Sequence, residues 1–143
     1  MWANELPSFQ VAEFPGLETR QPGNQATPHK LLMVEDEPAI VEGIGALLSI
    51  AGYDVSSAGT GEEAIEEIDA LNPDIVLLDV GLPGIDGIET HRRLRALKPR
   101  LPIILASGHE ARHTSDDGLT QYLQKPFAMT ALFDAIAALE ASL

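Results

Sequence analysis

Cysteine is absent from these 143 residues, which excludes disulfides and thiol chemistry and fits a reducing compartment. Cations are scarce: nine Lys and Arg face 22 Asp and Glu, for a formal net charge of -13. That imbalance argues against gripping a nucleic-acid backbone or an anionic membrane, because both need clustered Lys and Arg. No apolar run approaches the roughly 18 residues of a membrane-spanning helix, and the N-terminus lacks a basic stretch followed by an apolar one. A soluble protein of the cytoplasm, with no nucleic-acid and no membrane partner, is the expectation. The length suits one domain with a single core, since domains commonly run to about 100–150 residues.

Residues 1–29 hold Pro7, Pro15, Pro22 and Pro28 with Gly16 and Gly23 and show no sustained period, so they read as a flexible N-terminal arm or linker. Phe9, Val11 and Phe14 would suit a short strand or docking segment, although a few apolar side chains in a tail need no role. From Lys30 onward the pattern alternates between short apolar runs and helical periods. Leu31 to Val34 reads as a buried strand. Ile40, Ile44, Leu47 and Leu48 then share one helical face that ends at Gly52. A second strand begins at Tyr53, a helix runs from Gly61 to Leu71, and Asp74 to Leu78 is the clearest buried strand. Ile88, His91 and Leu94 mark a third helix reaching about Lys98. Pro102 to Ala106 and Tyr122 to Gln124 supply two more strands, and Met129, Leu132, Phe133, Ile136 and Leu139 form the stripe of a last helix.

Strands alternating with helices imply right-handed crossovers and a parallel sheet covered on both faces, here an α/β doubly wound sandwich. Ligands of such sheets sit beyond the carboxyl ends of the strands. Glu35, Asp36, Asp79, Ser107 and Lys125 all fall at or just past predicted strand ends. Two carboxylates gathered within about 4 Å repel by about 4 kcal/mol at an effective dielectric near 20, so a cation is required. Magnesium suits hard oxygen ligands and binds through one or two carboxylates plus waters and phosphate oxygens.

Each residue alone has a plainer explanation. A Glu-Asp-Glu run commonly begins a helix, where acids favour the dipole. Lys125 could form an ordinary ion pair of little consequence if exposed, and Ser107 before Gly108 suits a turn. Asp79 is harder to set aside, because an acid directly after four apolar strand residues is costly to bury unpaired. His91, beside Arg92 and Arg93, reads as a boundary residue of its helix; histidine phosphotransfer modules are helical bundles, unlike this alternating pattern.

Four segments in order carry a resemblance: Leu32-Met33-Val34-Glu35-Asp36-Glu37-Pro38, Leu77-Leu78-Asp79-Val80-Gly81-Leu82-Pro83-Gly84-Ile85-Asp86-Gly87, Ile104-Leu105-Ala106-Ser107-Gly108 and Tyr122-Leu123-Gln124-Lys125-Pro126-Phe127. From Lys30 to Leu143 the chain resembles the receiver domain of two-component response regulators. The resemblance implies a flavodoxin-like five-stranded parallel sheet in the order 2-1-3-4-5. It implies that Asp79 is the phosphoacceptor, taking phosphate from a histidine kinase or histidine phosphotransfer protein. Glu35, Asp36, Asp79 and the backbone carbonyl of Gly81 would hold Mg2+. Lys125 would pair with a phosphate oxygen, Ser107 and Tyr122 would act as the switch, and the Lys125-Pro126 bond would be cis. A downstream protein target would read the changed surface.

The chain departs from that family in two places. Only a short segment separates Ser107 from Lys125, and His109 to Leu119 has no apolar stripe, so the fourth helix is expected to be short or irregular. Gly81 and His109 occupy positions that tune the lifetime of the phosphoryl group in this family. Other readings stay open. A receiver signalling without phosphorylation is one, and a magnesium-dependent phosphohydrolase with an aspartyl nucleophile is another, although Gly81 stands where such an enzyme has its second Asp. A nucleotide or flavin binder would need glycines where Glu35, Asp36 and Glu37 stand. Both a stand-alone receiver and the C-terminal receiver of a hybrid histidine kinase fit the sequence.

Overall fold

The computed structural model describes residues 29–108 and 118–141. Of the stretch His109 to Leu119 expected to hold the fourth helix, residues 109–117 lie outside the described residues, as does the expected arm 1–29 except for His29, which opens β1. The elements run β1 (His29–Val34), α1 (Pro38–Ile50), β2 (Tyr53–Ala58), α2 (Gly61–Leu71), β3 (Ile75–Asp79), α3 (Gly87–Leu97), β4 (Ile103–Ser107), β5 (Thr120–Gln124) and α4 (Met129–Ala141). All four strand pairs are parallel, and the sheet order is β2-β1-β3-β4-β5. This is the expected doubly wound, flavodoxin-like arrangement.

Local chemistry sets the helix starts. Pro38 occupies the first turn of α1, where its missing N–H is no loss. Thr60 caps α2 by accepting the Glu63 N–H at 3.0 Å, while the Glu63 carboxylate reaches back to the Gly59 N–H at 2.9 Å. Asp86 caps α3 by accepting the Glu89 N–H at 2.9 Å. Asn72, left-handed with φ 45°, ends α2.

Strand residues alternate between two cores. Leu31, Met33, Ile75, Leu77, Ile104 and Ala106 pack with Leu48 of α1 and with Leu132, Phe133, Ile136 and Leu139 of α4. Leu32, Val34, Val76, Leu78, Ile103 and Leu105 face the other way, onto Ala64 and Ile68 of α2 and Leu94 of α3. Full burial of such a side chain contributes about 1.5–3 kcal/mol, so the central strands hold the fold together.

Three expectations shift in detail. β4 begins and ends one residue later than expected, and β5 begins at Thr120 rather than Tyr122. On α1 only Leu48 is fully buried; Ile40, Ile44 and Leu47 are half-buried, because they line an open groove at the edge of the core, against which Ile44 also packs. No helix among the described residues is long and apolar enough to cross a membrane.

Candidate functional site

The sheet order puts β1 and β3 side by side, with the crossover after β1 running toward β2 in one direction and the crossover after β3 running toward β4 in the other. A crevice opens at such a switch point, beyond the carboxyl ends of the two strands. Glu35 and Asp36 follow β1 there, Asp79 ends β3, Ser107 ends β4, and Lys125 follows β5. Asp79 lies level with Ala106 in the ladder, so Ser107 projects from the next position of the neighbouring strand.

Glu35 and Asp79 are among the few buried charged residues, at 7 % and 8 % exposure, whereas Asp36 is exposed. Each of the three offers a carboxylate oxygen, and these oxygens lie within 4.8 Å of one another. Lys125 Nζ donates to Asp79 Oδ1 at 3.1 Å and to Glu35 Oε1 at 3.3 Å, bridging the two buried acids. Two backbone groups orient them: the Glu37 N–H donates to Glu35 Oε2 at 3.2 Å and the Gly81 N–H donates to Asp79 Oδ1 at 3.2 Å. The Lys125 N–H donates to the Ser107 carbonyl at 2.6 Å, and the Lys125-Pro126 bond is cis, as the resemblance implied.

Below the carboxylates the floor is apolar, formed by Met33, Ile40, Ile44, Leu77, Ala106 and Phe127. That floor explains the electrostatics. Burial pushes the Glu35 carboxyl above its ordinary value, and the Asp79 charge adds to the rise against the opposing pull of the Glu37 N–H and Lys125. Burial pulls the Lys125 ammonium down, but the hydrogen bond to Asp79 and the charges of Asp79 and Glu35 outweigh it and leave the group raised. Lys125 therefore stays charged at neutral pH. A cluster with more carboxylates than cations, all hard oxygen donors, is the donor chemistry that Mg2+ takes.

The structure thus brings Glu35, Asp36, Asp79 and Lys125 together, with Gly81 and Ser107 alongside. Tyr122 stands apart from the carboxylates: it is half-buried on β5, paired with Leu105 and packed against the core under α2 and α3. Sequence reasoning missed a groove of about 610 Å³ beside Lys125, lined by Ala39, Ile40, Gly43, Ile44 and Leu47 of α1 and by Pro126, Phe127 and Met129. The unusually broad apolar content of α1 was the available signal.

An acidic pocket with a paired lysine at the switch point of a doubly wound sheet differs from the glycine-rich phosphate loop of a nucleotide-binding fold. Comparison makes the class specific. The description "Response regulator receiver domain" matches residues 31–137, and the chain belongs to that family. Among curated relatives, the response regulator MprA of Mycolicibacterium vanbaalenii is 37 % identical over 116 residues, covering 78 % of this chain and 50 % of that protein. The chain thus spans about half the length of the curated relatives it matches. A CheY-like receiver domain from Methanospirillum hungatei superposes with a TM-score of 0.73 at 26 % identity, covering 80 % of this chain and 96 % of that one. The response regulator TrrA from Thermotoga maritima, solved in complex with Mg(2+)-BeF, superposes with a TM-score of 0.70 at 31 % identity, covering 78 % and 98 %. Receiver domains of response regulators are signalling domains, not conventional enzymes, and interact with histidine kinases or phosphotransfer proteins.

Proposed function

We propose that this chain is a phosphoryl-accepting receiver of the cytoplasm in which Asp79 attacks the phosphorus of a phosphohistidine on a histidine kinase or histidine phosphotransfer protein. The bond from histidine nitrogen to phosphorus breaks, a bond from Asp79 oxygen to phosphorus forms, and the histidine leaves with its electron pair. Residues 30–143 form the receiver and 1–29 the arm in this reading, with His29, the first residue of β1, joining the two. The observation that carries it is Lys125 bridging Asp79 and Glu35 at 3.1 and 3.3 Å in a buried, carboxylate-rich pocket. A lysine so placed can release the acid and pair with the incoming phosphate oxygen, so the same ammonium serves both states.

Glu35, Asp36, Asp79 and the Gly81 carbonyl would hold Mg2+, which when bound offsets charge on the transferring phosphoryl group. The apolar floor excludes water beneath the attacked group and keeps the Asp79 carboxylate pointed outward. Ser107, at the end of the strand beside Asp79, donates its hydroxyl to the new phosphate, and Tyr122 follows on β5 to alter the surface that a downstream protein reads. The groove beside Lys125 gives a donor an apolar seat next to Asp79. Gly81 offers no carboxyl where a phosphohydrolase needs one, which disfavours turnover.

The test is intact mass after incubation with acetyl phosphate and MgCl2. Wild type should gain one phosphoryl group, and Asp79→Asn, or wild type without magnesium, should gain none. A gain that survives in Asp79→Asn would overturn the assignment.

A further inference from the structure

Glu62 lies in the first turn of α2, where any acid is favoured by the helix dipole. Its surroundings ask for more than that. Gly61 before it is buried and so tightly packed that an added Cβ would run into Thr90 Oγ1 and come within 3.0 Å of the Ile85 side chain. The start of α2 is therefore locked onto the loop between β3 and α3. That loop carries Gly81 two residues after Asp79, closes at its base with the Gly87 N–H on the Val80 carbonyl at 2.8 Å, and turns at Gly84 with φ 76°. At the turn the Glu62 carboxylate accepts the Ile85 N–H at 3.4 Å and lies where a Gly84 side chain would start, 2.9 and 3.1 Å from that Cβ position.

We propose that Glu62 is a positioning residue for the acidic pocket: by holding the Gly84-Ile85 turn it fixes the loop that presents Gly81, and so sets the affinity for a divalent cation. The inference rests on the reading that the pocket binds Mg2+ with help from the Gly81 carbonyl. Acceptor capacity is the property that matters, since the Ile85 N–H needs an oxygen and not a charge. A Gln at position 62 keeps that oxygen; an Ala does not. The residue is exposed, so neither change threatens the fold.

The experiment titrates MgCl2 calorimetrically into the full chain, as wild type, Glu62→Ala, Glu62→Gln and Asp79→Asn, and follows hydrogen exchange at the Ile85 amide without magnesium. Glu62→Ala should weaken magnesium binding by about three- to tenfold, the scale of one hydrogen bond's net contribution, and speed Ile85 exchange. Glu62→Gln should stay within about twofold of wild type on both counts. Wild-type affinity in Glu62→Ala overturns the inference while leaving the magnesium reading standing. Equal weakening in Glu62→Gln and Glu62→Ala also overturns it, because charge and not loop holding would then be at work. Absence of binding by wild type itself removes the magnesium reading and this inference with it.

Discussion

Replacing Lys125 by Met tests how the buried acids are held. The ammonium stands 3.1 Å from Asp79 and 3.3 Å from Glu35, with side-chain exposures of 27 %, 10 % and 6 %. At an effective dielectric of about 20 each attraction has a gross size of about 5 kcal/mol before desolvation is subtracted. Losing both would leave two buried carboxylates facing one another, but the protein has an escape. Glu35, already pushed upward by burial, takes a proton, and doing so at pH 7 from an ordinary value of 4.5 costs about 3.4 kcal/mol. That figure is the ceiling. We therefore expect Lys125→Met to lose about 2–3 kcal/mol in urea melts at pH 7 without divalent cations, a fall of roughly 10 °C in Tm for a domain of this size. Magnesium at about a hundred times its Kd adds about 2.7 kcal/mol to any form that binds it. It should stabilise the variant more than wild type, because no internal ammonium competes for the acids. A variant within about 0.5 kcal/mol of wild type without magnesium would refute the reasoning, as would equal stabilisation of both by the metal.

Gly87→Ala should destabilise the domain by about 2–3 kcal/mol in the same melts, because its Cβ would meet the Asp79 carbonyl oxygen and Val80 Cα, both backbone, leaving no flexible side chain to yield; a loss below about 0.5 kcal/mol would show the backbone relaxing easily. Leu47→Ser, on the groove but outside the floor beneath the carboxylates, should slow phosphotransfer from a protein donor by about tenfold while leaving the rate with acetyl phosphate unchanged, since only the former needs the apolar seat; equal slowing of both would place the effect inside the pocket. The hydrogen bonds from Arg92 and then Arg93 hold the Glu89 carboxyl at about 2, so a carboxyl NMR titration should find its midpoint there. A depressed folded pKa favours the fold above the ordinary 4.5 and loses that contribution as pH falls toward about 2. A midpoint near 4.5 in the folded protein would contradict the pairing.

How much was legible depended on whether the signal was local. β3 was read almost to its bounds, because an uninterrupted apolar run ending in an acid is a local pattern. α2 was read to the residue, since Thr60, Gly61 and Leu71 bracket it. β5 was entered two residues late because Thr120 and Gln121 are polar, and their strand conformation comes from pairing with Ile103 and Ile104. Periodicity put Ile40 and Ile44 on an inward face but could not show that this face also lines a groove, which depends on where Phe127 and Met129 arrive. Likewise the strand ends pointed to one site, yet contact between Lys125 and Asp79 depends on sheet order, which spacing alone does not encode. Glu62 gave no sign, since its role depends on a turn 23 residues away in the chain.

Asp79 ends a strand whose five residues are all buried and which is flanked by β1 and β4. Exposing its backbone would mean parting the middle of the sheet, a cost close to that of unfolding the whole domain. The acid is therefore the stationary point of the molecule, and a signal written there cannot travel by displacing the residue that receives it. In the proposed reading it would leave through what surrounds the acid, the hydroxyl of Ser107, the ammonium of Lys125 and the loop at Gly84, while β3 stays still.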